Sequence, residues 1–261
     1  MVVELAGGCR VFGPREGTAS REGAVAIRRL VGRGSGAKAI SLTALELDAG
    51  ASASWRNGAC DEVLFVLAGE GQVHLGGKRH DVVTRTGVFV RPHQEIEIAS
   101  SGREALRLLD SRCPDPGPGL SFAAATAASP GSGGATPVVC FEDQAVERAG
   151  DGRWFRVLVD AKVGCDQTTQ FVGFVPPGRA PDHFHEYEEV VCILEGEGRF
   201  WSGRESAPIA AGSCLYLPRR QPHCVENTGA GPLSLYGLFH PSGSPAVRFD
   251  PAGIASGSEK L

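Results

Sequence analysis

Short apolar stretches alternate with glycine, proline and polar breaks along the whole chain, and no stretch sustains a helical period. Residues 24–27, 40–47, 62–67, 71–75 and 87–90 have the lengths and the β-branched content of strands. Glu62-Val-Leu-Phe-Val-Leu and Glu189-Val-Val-Cys-Ile-Leu are apolar almost throughout, so both are expected to be buried on both faces. The pattern predicts an all-β protein with abundant turns.

The pattern also repeats. Leu47-Asp-Ala-Gly50 corresponds to Val175-Pro-Pro-Gly178. Asp61-Glu-Val-Leu-Phe-Val-Leu-Ala-Gly69 corresponds to Glu188-Glu-Val-Val-Cys-Ile-Leu-Glu-Gly196, and Thr86-Gly-Val-Phe-Val-Arg-Pro92 to Ala211-Gly-Ser-Cys-Leu-Tyr-Leu-Pro218. An internal repeat of this length means two units of one design. The first is expected over residues 1–113 and the second over 138–261, with a ragged tail after Gly253. Between them, residues 114–137 are rich in Pro, Gly, Ala and Ser and read as a linker, with one ordered turn expected around Leu120 to Phe122.

Composition narrows the function classes. The 261 residues are enough for two domains, and 36 Gly and 17 Pro supply the turns of an all-β chain. With 26 Lys and Arg against 30 Asp and Glu the net charge is −4, and no basic run is present, which argues against nucleic acid as a partner. No secretory leader pattern opens the sequence, and no apolar run is long enough to span a bilayer, so a cytoplasmic protein without a membrane partner is expected. The eight cysteines form no CxxC pair and read as reduced, buried small hydrophobes.

The chemistry concentrates in the second unit. His183 and His185 are one residue apart, so both point to one side of an extended strand. Glu189 follows after room for a bend, and His223 lies in Gly212-Ser-Cys-Leu-Tyr-Leu-Pro218-Arg-Arg-Gln-Pro-His223-Cys-Val-Glu-Asn227. Three imidazoles and a carboxylate make a transition-metal site with open positions if the fold brings His223 to the others. Glu188 is expected to point away from Glu189, either into solvent or toward the outer nitrogen of a ligand histidine. Gln170, Tyr187, Trp201, Tyr216 and Tyr236 read as packing residues. An arginine in the lumen would clamp a carboxylate substrate, and Arg156 and Arg199 are the candidates. In the first unit Trp55 and Asn57 stand where His183 and His185 stand, Ile96 or Glu97 falls at the place of His223, and only Glu62 is kept. His74, His80 and His93 read as exposed or singly bonded, and His240 as a loop residue.

These two stretches resemble the paired motifs of the cupin superfamily. The first motif matches at Gly178, His183, His185, Glu189 and Gly196, with four residues rather than five between Gly178 and His183. The second matches at Gly212, Pro218, His223 and Asn227, with Arg220 in place of a glycine. The resemblance implies His183, His185, Glu189 and His223 as ligands of one divalent transition metal per chain (iron, manganese, zinc or nickel). It implies two antiparallel, jelly-roll-like cupin barrels in tandem, a bicupin, with a degenerate site in the first. The barrels are expected to pack as an intrachain pseudo-dimer, and the sequence allows further pairing of whole chains. The implied function is a metal-dependent enzyme on a small, anionic organic molecule, foremost a non-haem iron or manganese oxygenase of the dioxygenase kind. The alternatives are a zinc- or manganese-dependent hydrolase, isomerase or decarboxylase, and a non-catalytic metal- or ligand-binding module. No separate acid or base can be named from the sequence.

Overall fold

A computed structural model of the chain describes residues 1–117, 122 and 137–253, and the backbone of 255–256. Most of the expected linker, the expected turn before Phe122 and most of the tail after Gly253 lie outside the described residues. The regular elements among the described residues are strands, apart from four three-residue 3₁₀ turns. It divides into two compact units: residues 17–144 with 158–167, and residues 1–16 with 145–157 and 168–261.

The unit holding the histidines has two antiparallel sheets. The larger runs, edge to edge, through Val3–Glu4, Arg10–Phe12, Cys214–Leu217, Glu188–Glu195, Leu233–His240, Thr169–Val175, Arg153–Val159 and Glu147–Gly150. The smaller runs through Gly178–Arg179, His223–Asn227, Glu197–Ser202 and Glu205–Ala210. Inward-facing residues of both sheets form one apolar cluster that includes Phe155, Phe171, Val191, Phe200, Leu215 and Phe239. The strand Glu188–Glu195 is buried along its first six residues, as an apolar strand flanked on both sides must be.

The other unit repeats this plan. Its seven-stranded sheet centres on Asp61–Ala68 between Thr86–Val90 and Leu106–Cys113, and its four-stranded sheet is Ser52–Arg56, Glu95–Ser100, Glu70–Leu75 and Lys78–Val83. Gly69 and Gly196 hold the same place in the two units. Both have φ of +88°, and a Cβ on either would press on the backbone of the neighbouring strand, so only glycine fits.

Three stretches group differently from the sequence expectation; one, residues 158–167, goes with residues 17–144. Residues 1–16 belong with the histidine unit, because Arg10–Phe12 pairs antiparallel with Cys214–Leu217. Val138–Cys140 extends the other unit in the same manner, pairing with Thr86–Val90. Each large sheet is thus extended by a strand from outside its expected unit, which pairs backbone groups that would otherwise be left open. The repeat also slips by one residue at its end. Val90 faces Glu62 as Leu217 faces Glu189, so Arg91, not Pro92, is the counterpart of Pro218.

Cys192 and Cys214 correct the expectation of reduced thiols. They are direct cross-strand partners with Cα atoms 4.2 Å apart and form a disulfide. The six other cysteines form no disulfide.

Candidate metal centre

His183 and His185 arrive on an extended segment that the small sheet holds in place. The His183 N–H donates to the His223 carbonyl at 3.0 Å and the His223 N–H returns to the His183 carbonyl at 2.8 Å, so the two motifs are hydrogen-bonded to each other through their own histidines. Arg220 N–H donates to the His185 carbonyl at 2.8 Å from a left-handed turn with φ of +61°. That conformation explains why the motif favours glycine where this chain has arginine. Asn227, the last residue of the second motif, closes a turn: its amide donates to the Val175 and Gly231 carbonyls and its oxygen accepts from Gly229 N–H.

The three imidazoles converge. One ring nitrogen from each of His183, His185 and His223 lies within 4.8 Å of the others. The second nitrogen of each is already committed. Nδ1 of His183 contacts the Pro181 carbonyl at 2.9 Å, Nδ1 of His185 the Val247 carbonyl at 2.9 Å, and Nδ1 of His223 the Gln221 carbonyl at 2.8 Å. A carbonyl can only accept, so each Nδ1 carries the proton and each Nε2 presents a lone pair. Backbone carbonyls therefore set the tautomers, a role the sequence reading offered to a carboxylate. Burial keeps all three rings neutral. It lowers His183; with the His183 ring beside it, it lowers His185 to about 3; with both other rings beside it, it lowers His223 well below the usual range.

Glu189 lines the same cavity but lies outside the 4.8 Å cluster. Burial raises its carboxyl to about 8, and no hydrogen-bond donor from the described residues reaches it. Three lone pairs directed into one cavity, beside a carboxyl on its wall, are an arrangement that a cation satisfies. The donor set suits a divalent ion: three neutral nitrogens that converge, with a carboxyl on the wall of the same cavity.

The wall is otherwise apolar. Phe155, Phe171, Val191, Phe200, Leu215 and Phe239 face the cavity. Tyr187 also lines it, stacked between His185 at 5.1 Å and Phe239 at 4.1 Å, with its hydroxyl donating to the Ser244 and Val247 carbonyls. The sequence reading placed Tyr187 in packing; its position two residues past His185, on the same face, was the available signal. Arg156 and Arg199 do not supply the expected clamp, because alternation turns them away when Phe155 and Phe200 face inward, and Arg199 bonds Ser206 at 2.7 Å. Gln170 and Tyr236 turn outward for the same reason, beside the inward Phe171 and Leu235. Glu188 is buried on the outer face and accepts from the Tyr216 hydroxyl at 2.6 Å.

The first unit holds a different set at the equivalent place. Trp55 Nε1 donates to Glu62 at 2.8 Å and Arg112 donates to the same oxygen at 2.7 Å. Asn57 donates to the Cys60, Val90 and Arg91 carbonyls, and Ile96 pairs with Trp55 as His223 pairs with His183. Among the described residues, the three histidines of the second unit are the one cluster able to hold a metal.

Residues 170–239 match the Cupin domain family. Solved structures of similar fold include the formate complex of Lactobacillus farciminis oxalate decarboxylase, with a TM-score of 0.73 and 14% identity over 88% of this chain and 86% of that one. Bacillus subtilis oxalate decarboxylase at pH 4.6 aligns with a TM-score of 0.74 and 14% identity over 90% of this chain and 77% of that one. The chain thus has the fold of those enzymes, and its histidine unit matches the Cupin domain family. At 14% identity the likeness to those enzymes is one of fold. A curated relative, the uncharacterized protein MJ1618 of Methanocaldococcus jannaschii, is 35% identical over 54 residues, which is 21% of this chain and 43% of that protein. No helix among the described residues is long and apolar enough to cross a membrane.

Proposed function

We propose that the second barrel is a metal-dependent enzyme site for a small organic acid, with His183, His185, His223 and Glu189 as the ligands and oxygenase chemistry as the reaction. The carrying observation is the convergence of three buried, tautomer-locked Nε2 lone pairs in an apolar lumen. A bound iron or manganese ion would supply Lewis-acid and redox chemistry there, with positions left for substrate and dioxygen.

The chain's own residues favour a reaction that needs little proton traffic. The Tyr187 hydroxyl is engaged by two carbonyls, and burial, with Glu189 nearby, holds its proton on more tightly than usual. Arg153, the one guanidinium on the wall, turns to Asp151 and to the Gly150 carbonyl. No independent acid or base therefore faces the lumen among the described residues. What the barrel does offer is exclusion of water, rigid placement of the donors and neutral imidazoles that leave a divalent ion partly charged.

A second reading, decarboxylation, is supported by the oxalate decarboxylases among the structures of similar fold. It needs a proton for the carbon that loses CO₂, which this lumen would have to take from solvent or from the substrate. Metal analysis of protein purified without added metal, followed by oxygen-electrode assays on iron-loaded and manganese-loaded protein, tests the proposal. One tightly held metal, lost in His185→Ala and His223→Ala with far-UV circular dichroism unchanged, and substrate-dependent oxygen uptake are expected. Full turnover under strict anaerobiosis would sink the oxygenase reading and leave decarboxylation.

A further inference from the structure

The lumen shows what kind of molecule it would take. Besides the three histidines, Glu189, Tyr187 and Arg153, every described lining residue is apolar or glycine. Two glycines, Gly173 on the wall and Gly237 opposite Phe171 on the neighbouring strand, make room for the side chains that form it. A Cβ at Gly237 would lie 2.2 Å from the Phe171 ring, so that ring lies flat against the wall only because position 237 has no side chain. Gly173 leaves Leu235 its place in the same way at 3.2 Å. Trp154 and Phe174, both half-buried, stack at 3.9 Å with planes 10° apart at the margin of the cavity. A molecule held at the nitrogens lies against an aromatic and aliphatic wall.

Charge gives a second constraint, which rests on the metal reading above. A divalent ion with three neutral imidazoles and one carboxylate keeps one positive charge. One monoanionic chelating head cancels it. A dianion would leave an uncompensated negative charge in an apolar chamber, which is costly. Among the described residues the one cation on the wall, Arg153, is already paired with Asp151, which Arg248 also holds at 2.9 Å. We infer that the second barrel takes a monoanionic acid with one chelating head and an aromatic or branched apolar body, and that it discriminates against small dianions such as oxalate.

Isothermal titration of the full-length, metal-loaded protein under anaerobic conditions tests this with three probes: benzoylformate, pyruvate and oxalate. Benzoylformate and pyruvate share a head and differ in the body, and oxalate has two charges and no body. Benzoylformate is expected to bind at least about tenfold more tightly than either of the others, given the apolar area its ring would bury. Phe171→Leu, which removes a ring from the wall, should reduce that preference while leaving metal content unchanged. Oxalate or pyruvate binding as tightly as benzoylformate would overturn the inference. The same titration on metal-free protein separates it from the metal reading. A surviving preference for benzoylformate over pyruvate upholds the apolar body even if no metal is retained, and its absence there rejects the role of the wall.

Discussion

Arg112 holds in the first unit the position that Phe239 holds in the second: it pairs with Glu62 as Phe239 pairs with Glu189. There it is 7% exposed, donates to Glu62 at 2.7 Å and lies 3.3 Å from Asp110. One buried cation between two carboxylates leaves one acid protonated, and burial together with Asp110 raises the Glu62 carboxyl. A guanidinium and an indole N–H thus occupy the region where the second unit assembles lone pairs. The arrangement depends on the whole set. Arg112→Ala strands two buried acids and should destabilise the protein by about 3–5 kcal/mol in denaturant melts. The triple variant Glu62→Gln, Asp110→Asn, Arg112→Met should recover most of that loss, since a buried polar set replaced by neutral groups of similar volume is often tolerated. Equal stability of Arg112→Ala and the unaltered protein would show that the set carries no such constraint.

Among the elements, the segment 241–249 after the last long strand matters most to the site. The Val247 carbonyl receives the His185 Nδ1–H and the Tyr187 hydroxyl, and Ser244 receives that hydroxyl at 2.6 Å. Phe249 exchanges both backbone hydrogen bonds with Phe184, and their rings stack at 5.3 Å. Arg248 fastens the segment to the Glu147–Gly150 hairpin through the Ala149 carbonyl at 2.7 Å and Asp151 at 2.9 Å. The segment therefore acts as a strap that sets the orientation of one imidazole through a carbonyl, far from the histidine motif in sequence. Arg248→Ala should lower metal affinity roughly tenfold to a hundredfold, the usual cost of disturbing a ligand's outer partner, with little change in melting temperature. Chelator competition followed by metal analysis reads this directly, and unchanged affinity would separate the strap from the site.

At the scale of the molecule the two barrels share a plan and differ in chemistry. The histidine cluster lies in one unit, and the other holds Trp55, Asn57 and Ile96 at the equivalent places. One equivalent of tightly bound metal per chain is expected by elemental analysis after extensive dialysis. Two equivalents would mean that the first unit binds metal by residues other than these.

Strand content, the internal repeat and the closeness of His183 to His185 could be read from the sequence, because they depend on local alternation and short spacing. The placement of His223 with them came only through the resemblance to the paired cupin motifs, because spacing alone left open whether the fold brings it there. Partnerships between distant segments could not be read. The exchange of Arg10–Phe12 and Val138–Cys140 between units, the Cys192–Cys214 bridge, the strap that holds His185 and the outward turn of Arg156 and Arg199 all depend on sheet order and register. A one-residue shift in register reverses every face of a strand, and sequence spacing alone does not carry that information. The sequence alone determined which side chains could bind metal. The tertiary structure decided that three of them meet with their lone pairs free, because three backbone carbonyls, one of them 62 residues from its histidine, hold the protons on the other side of the rings.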